Sequence, residues 1–122
     1  MPHAYDDQNI FARILRGEIP NQTVRETAHT LAFRDINPQA PVHVLLIPKG
    51  KYVTADHFAA EGSAEEIADF WRCLADIVAA EGLTGGYRLI SNAGAHGVQE
   101  VPHFHLHLLG GRVLGPMLTR RD

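Results

Sequence analysis

Cysteine is almost missing from this chain: Cys73 stands alone among 122 residues, so no internal disulfide can staple the fold. Long apolar runs are missing as well. No stretch approaches the roughly 20 residues that span a bilayer, and Met1 to Asp7 supplies neither the basic nor the apolar region of a secretory signal. These absences point to a cytoplasmic protein with no membrane partner. Positive charge is scarce too: 11 Lys and Arg against 14 Asp and Glu give a formal net charge of −3. That removes the broad positive field on which non-specific nucleic-acid binding relies, and Arg120 and Arg121 are too few to restore it. Internal repeats, linkers and low-complexity segments are absent, as are a Walker-type lysine motif and a G-x-G-x-x-G fingerprint.

What remains is an ordinary globular composition, 45% hydrophobic and 20% charged. At this length a chain buries about two-thirds of its unfolded surface, so one domain is expected over 1–122, with an N-terminal arm over about 1–8 and a C-terminal tail over about 112–122. Asn9 followed by Ile10, Phe11, Ile14 and Leu15 reads as a short capped helix stopped by Gly17 and Pro20. Thr23 to Arg25 and Thr30 to Arg34 form a hairpin pattern. Pro38 and Pro41 stiffen the loop that follows Asp35, and Val42 to Ile47 reads as a strand buried on both faces.

Ser63 and Glu66 form a capping box that opens a long helix, with Ile67, Phe70, Trp71, Leu74, Ile77 and Val78 on one face and Gly82 at its stop. Trp71 is expected in the core or a dimer interface, and Cys73 as buried packing. Tyr87 to Ile90 and about His103 to Leu109 supply two more strands, with a turn-rich loop from Ser91 to Gly97 between them. The whole reads as α+β: a mainly antiparallel sheet of about five strands, helices on one side, one helix short and one long.

The chemistry concentrates near the C-terminus. His103, His105 and His107 alternate with Phe104, Leu106 and Leu108, so in a strand the three imidazoles share one surface. Stacking three groups that repel one another when charged gains nothing for stability, which favours a site. Two chemistries suit the row. Three neutral imidazoles can hold a metal with an open fourth position, or a central nucleophile, His105, can be flanked by histidines that orient it and move protons. His43, in the buried strand, reads equally as a satisfied core histidine or as a residue orienting the row. The glycine-bearing segment Asn92 to Val101 can aim backbone N–H groups and the Gln99 amide at an anion. Asp35, before Asn37-Pro38, reads first as a turn-forming residue. His3, His29 and His57 lie in polar surroundings and are read as exposed.

These residues also carry a family resemblance. His103-Phe104-His105-Leu106-His107-Leu108-Leu109 has the H-φ-H-φ-H-φ-φ form of the histidine triad superfamily. Ile10-Phe11, Glu18-Ile19-Pro20, the run Leu31 to His43, Ile47-Pro48-Lys49, Gly86-Tyr87-Arg88 and Leu109-Gly110-Gly111-Arg112 are similar to its Hint branch. Gln99-Glu100-Val101 and Leu114-Gly115-Pro116-Met117-Leu118 resemble the bacterial Hint proteins most.

The resemblance implies a homodimer that continues the sheet between subunits, and hydrolysis of purine nucleoside phosphoramidates or aminoacyl adenylates through a covalent nucleotidyl-histidine, with no cofactor and no metal. It makes His105 the attacking residue and His107 the group that contacts phosphate and assists departure, while His103 and His43 form a relay holding the His105 tautomer. Asp35 would bind ribose; Ile10, Phe11, Ile14, Phe33, Ile36 and Leu45 would line the purine pocket; Asn92, Gln99, Glu100 and Val101 would surround phosphate. His96 would stand in an outer layer of the site. The superfamily's transferases carry glutamine at the third triad position, so His107 implies water as final acceptor.

Val98 and Pro102 depart from the Hint pattern, which has glycine and tyrosine there. A β-branched residue resists positive φ, and proline removes a backbone donor just ahead of the triad. Two other readings follow: a nucleotide sensor whose catalysis these changes have spoiled, and a metal-dependent hydrolase using the three histidines.

Overall fold

The computed structural model describes residues 3–119; Arg120, Arg121 and the end of the expected tail lie outside the described residues. In chain order the elements are α1 (Ile10–Leu15), β1 (Thr23–Glu26), β2 (Thr30–Arg34), β3 (Val42–Pro48), α2 (Ala55–Glu61), α3 (Ala64–Ala80), β4 (Tyr87–Ile90) and β5 (Leu106–Gly110). All five strands join one antiparallel sheet in the order β1-β2-β3-β5-β4, so the histidine-bearing β5 sits inside the sheet between β3 and β4.

Local chemistry sets the helices. Asn9 caps α1, its side chain accepting from the Phe11 and Ala12 N–H groups. Ser63 and Glu66 make both bonds of the expected capping box at the start of α3. The sequence reading found no element between the third strand and this long helix, yet α2 is there. Thr54 caps it by accepting from His57 N, and at only seven residues it is too short to show an apolar period.

Alternation along the strands divides the sheet into two faces. One carries Ala32, Val44, Leu46, Leu106 and Leu108, packed with Phe70, Cys73, Leu74 and Ile77 of α3. On the other, Leu31, Phe33, Leu45 and Ile47 pack with Phe11 and Ile14 of α1. The helices therefore lie on both sides of the sheet, not on one. The six-residue α1 covers only part of its face, and the histidines occupy the remainder. Cys73 is buried as expected, its thiol pushed up to about 11 by burial. Trp71 is not core: it is 47% exposed on α3 while Cys73 takes the inward position. No helix among the described residues is long and apolar enough to cross a membrane.

Candidate active site

Register builds the site. Leu45 pairs with His107 and His43 with Leu109, so His43 and His107 are diagonal neighbours on the α1 face of the sheet. His43 Nε2 and His107 Nδ1 lie 2.9 Å apart. The His43 ring is fixed from behind, because the backbone N–H of Gln39 donates to its Nδ1 at 3.1 Å. A neutral His43 accepting there must carry its proton on Nε2. That proton goes to His107 Nδ1, which leaves His107 with its own proton on Nε2. Asp35 Oδ2 stands 3.4 Å from His43 Nε2, and Asp35 Oδ1 accepts from Asn37 N at 2.8 Å. Asp35 is thus a turn-former, as the residues alone suggested, and a member of the site.

The expected strand start near His103 is too early. β5 begins at Leu106, because the segment ahead of it spends its polar groups elsewhere. Pro102 has no N–H, Phe104 N donates to Tyr52 O at 2.7 Å, and the His103 carbonyl accepts from His105 Nδ1 at 2.8 Å. A carbonyl only accepts, so His105 carries its proton on Nδ1 and presents a bare lone pair at Nε2. Of the relay anticipated from His103 and His43, His103 holds His105 through its backbone carbonyl, whereas His43 bonds His107 rather than His105. Phe11 sets its edge or face at 79° to the His105 ring at 4.9 Å, and the His105 and His107 rings are 5.1 Å apart.

His103 is fully buried. Its Nε2 donates to Pro48 O at 2.8 Å, and its Nδ1 lies 2.5 Å from the Tyr5 hydroxyl. Burial dominates the titration of the whole group: it holds His103 and His107 down to about 4 and lowers His105 and His43 as well, with Asp35 opposing the fall at His43. All four rings are neutral in the free protein at neutral pH.

Around this centre the anticipated residues divide. Phe11, Ile14, Phe33 and Leu45 come together in one buried cluster, against which Val101 packs. Ile10 and Ile36 stay outside it, both exposed, Ile36 at 89%. The Gln99 amide is not free to meet an anion: Nε2 donates to the carbonyls of Val53 and Val101, and Oε1 accepts from Gly94 N. Gln99 braces the loop. Asn92 is half-buried, while Glu100 and His96 are exposed. Gly97 is required by space, since a Cβ there would meet the Ala93 carbonyl at 2.6 Å. Val98 adopts φ 56°, alone among the described non-glycine residues in positive φ.

A metal fits poorly. His103, with both ring nitrogens committed, cannot join His105 and His107 around one ion. Two other donor groupings exist among the described residues, Asp35 with His43 and His107, and His3 with His57 and Glu61. Val53 N–H donates to His57 Nδ1 at 2.9 Å, so the facing Nε2 keeps its proton, as at His43. His57 is also buried, contrary to expectation, stacked on His3 in α2. A cavity of about 670 Å³ opens elsewhere, lined by Gly86, Tyr87, Arg88 and Arg112 and holding no nucleophile.

Tyr5 is the site residue that sequence reasoning missed. It lies 98 positions from His103 in an arm with no periodicity, so no local signal could have found it.

The chain has relatives among known proteins. The family described as "HIT domain" matches residues 16–114. An uncharacterized 13.2 kDa HIT-like protein of Azospirillum brasilense is 53% identical, covering 98% of this chain and 99% of its own length. A purine nucleoside phosphoramidase of Escherichia coli K12 is 45% identical over 94% of this chain and 97% of its own. The crystal structure of a HIT family hydrolase from Legionella pneumophila Philadelphia 1 superposes with a TM-score of 0.81 at 44% identity, covering 88% of this chain and 96% of that one.

Proposed function

Because this chain belongs to the HIT family, we propose that it hydrolyses the P–N bond of purine nucleoside phosphoramidates, releasing a nucleoside monophosphate through a covalent nucleotidyl-histidine. The observation that carries this reading is the fixed pair of tautomers, a bare Nε2 on His105 beside an Nε2–H on His107. The 45% identity to a purine nucleoside phosphoramidase supports it.

In the first step His105 Nε2 forms a bond to the α-phosphorus as the P–N bond breaks. The departing nitrogen needs a proton. Bound phosphoryl oxygens favour one extra proton, taken from solvent with substrate, on His107 Nδ1, because Asp35, 3.4 Å from His43 Nε2, accepts the His43 proton in place of that nitrogen. His107 delivers its Nε2 proton to the amine, and the pair ends neutral. The positive nucleotidyl-imidazolium keeps its Nδ1–H on the His103 carbonyl. In the second step a water oxygen attacks phosphorus, its proton returns to the His43–His107 pair, and the P–Nε2 bond breaks. The general acid–base part of such catalysis contributes about 10²- to 10⁴-fold.

Purine binding is assigned to the surface above Phe11, Ile14, Phe33 and Leu45, ribose to Asp35, and phosphate to the loop from Asn92 to Val101. The open sheet edges are β1 and β4. The homodimer reading uses β4, which would continue the sheet into a second copy; sedimentation at micromolar protein tests it. Denaturing the enzyme during turnover and mapping the adduct by mass spectrometry tests the mechanism. The nucleotide should sit on His105, and steady turnover with no adduct would contradict the covalent route.

Val98 favours a second reading. A strained residue in the phosphate loop suits a nucleotide sensor, for which tight AMP binding without turnover of any phosphoramidate would be the sign.

A further inference from the structure

The N-terminal arm is docked on the triad rather than trailing from α1. Asn9 N and Nδ2 both donate to the Asp6 carbonyl, at 3.1 and 2.7 Å. Asp7 pairs with Lys51 at 2.7 Å and its carbonyl accepts from Arg16, while the Lys51 ammonium lies 5.9 Å from the centre of the Tyr5 ring. These contacts aim Tyr5 inward. Its ring meets His103 edge-on at 5.5 Å and its hydroxyl reaches Nδ1 at 2.5 Å.

The direction of that bond follows from its neighbours. His103 is neutral and gives its one ring proton to the Pro48 carbonyl, so Nδ1 accepts and Tyr5 donates. Burial raises the Tyr5 pKa, which keeps the donor protonated. His103 is thereby held at three points: Tyr5 and Pro48 on its ring, and the Phe104 N–H to Tyr52 O bond on the peptide that also carries its carbonyl. That same carbonyl fixes the His105 proton on Nδ1.

We propose that Tyr5 is a positioning residue for the nucleophile: its hydroxyl locks the His103 ring, and with it the His103 carbonyl that keeps His105 Nε2 bare and aimed. Without the hydroxyl, His103 Nδ1 is a buried acceptor with no partner, and the residue gains by turning. The arm, which lies ahead of the matched family region at 16–114, thus becomes part of the catalytic apparatus. This inference rests on the phosphoramidase reading for its kinetic arm alone.

Tyr5→Phe removes only the hydroxyl and keeps the ring against His103. The expected result is a fall in kcat of about tenfold, as for the loss of one well-placed hydrogen bond, with KM within about twofold. Nitrogen NMR of the histidines in free protein should show the His103 Nδ1 resonance moving toward that of an unbonded acceptor and the Nδ1–H share of His105 falling. Tyr5→Leu, which also removes the ring, separates packing from hydrogen bonding. Tyr5→Phe with wild-type kcat and wild-type spectra overturns the proposal, whatever Tyr5→Leu does, and so does a change confined to KM. The spectra need no substrate. A wild-type protein that turns over no phosphoramidate would therefore sink the proposed reaction and still leave the role of Tyr5 to be decided by His103 and His105.

Discussion

His43 Nε2 and His107 Nδ1 share one proton across 2.9 Å, and the Gln39 N–H behind His43 dictates which of them donates. A backbone amide thus sets, through two rings, the nitrogen on which His107 carries its proton. The His103 carbonyl makes the opposite choice at His105. Two adjacent imidazoles in one sequence repeat acquire complementary roles because each is read by a different backbone group.

On the proposed mechanism, replacing His107 with Ala removes the proton donor and leaves the nucleophile. For a substrate with a simple amine leaving group, kcat should fall by about 10²- to 10⁴-fold. For a nucleotide ester of a good phenolate leaving group, which departs without a proton, the first step should be much less affected. Single-turnover kinetics on the two substrates makes the comparison; equal losses would contradict the assignment of His107 as acid.

Val98 holds φ 56° and is 71% exposed, so burial does little to repay the strain. Left-handed backbone costs a non-glycine residue about 1 to 3 kcal/mol, and glycine costs about 0.5 to 1 kcal/mol in unfolded-state entropy. Val98→Gly should therefore stabilise the protein by about 1 kcal/mol in urea unfolding. Destabilisation would show that the valine side chain has a role its exposure hides.

Burial holds the folded His103 and His107 down to about 4, and His43 and His105 below the ordinary histidine value of 6.5. Above about pH 6.5 both folded and unfolded chains are neutral at these sites and the stability is fully present. As pH falls toward 4 the unfolded chain binds protons that the folded chain refuses, so stability is lost, by at most about 1.4 kcal/mol per pH unit for each group. Urea midpoints at about pH 7.5 and about pH 5.5, both above most of the carboxylate range, should differ, with the lower midpoint at the lower pH. Equal midpoints would mean that the histidines titrate alike in both states.

Much of this was legible in the chain. Asn9 and the Ser63–Glu66 box announce their helices by local hydrogen bonding, and the alternation of Phe104, Leu106 and Leu108 with histidines announces a two-faced strand. Legibility ends where long-range partners decide. Pro102 and the Tyr52 carbonyl delay β5 to Leu106. Gln99 looked free to bind an anion because its backbone partner Val53 lies 46 residues away. Trp71 and Cys73 both fit an apolar helix face, and only packing shows that the smaller one points in. The His105 tautomer is set by a carbonyl two residues back, which no count of residue types records.

The central claim is that His105 attacks phosphorus without help from a metal. AMP release from adenosine 5′-phosphoramidate, followed in EDTA for the wild type and for His105→Ala, tests it most directly. Release by the wild type, with none by a His105→Ala protein that still binds AMP, is the predicted result. Undiminished release by His105→Ala, or release by the wild type that EDTA abolishes, would contradict the account.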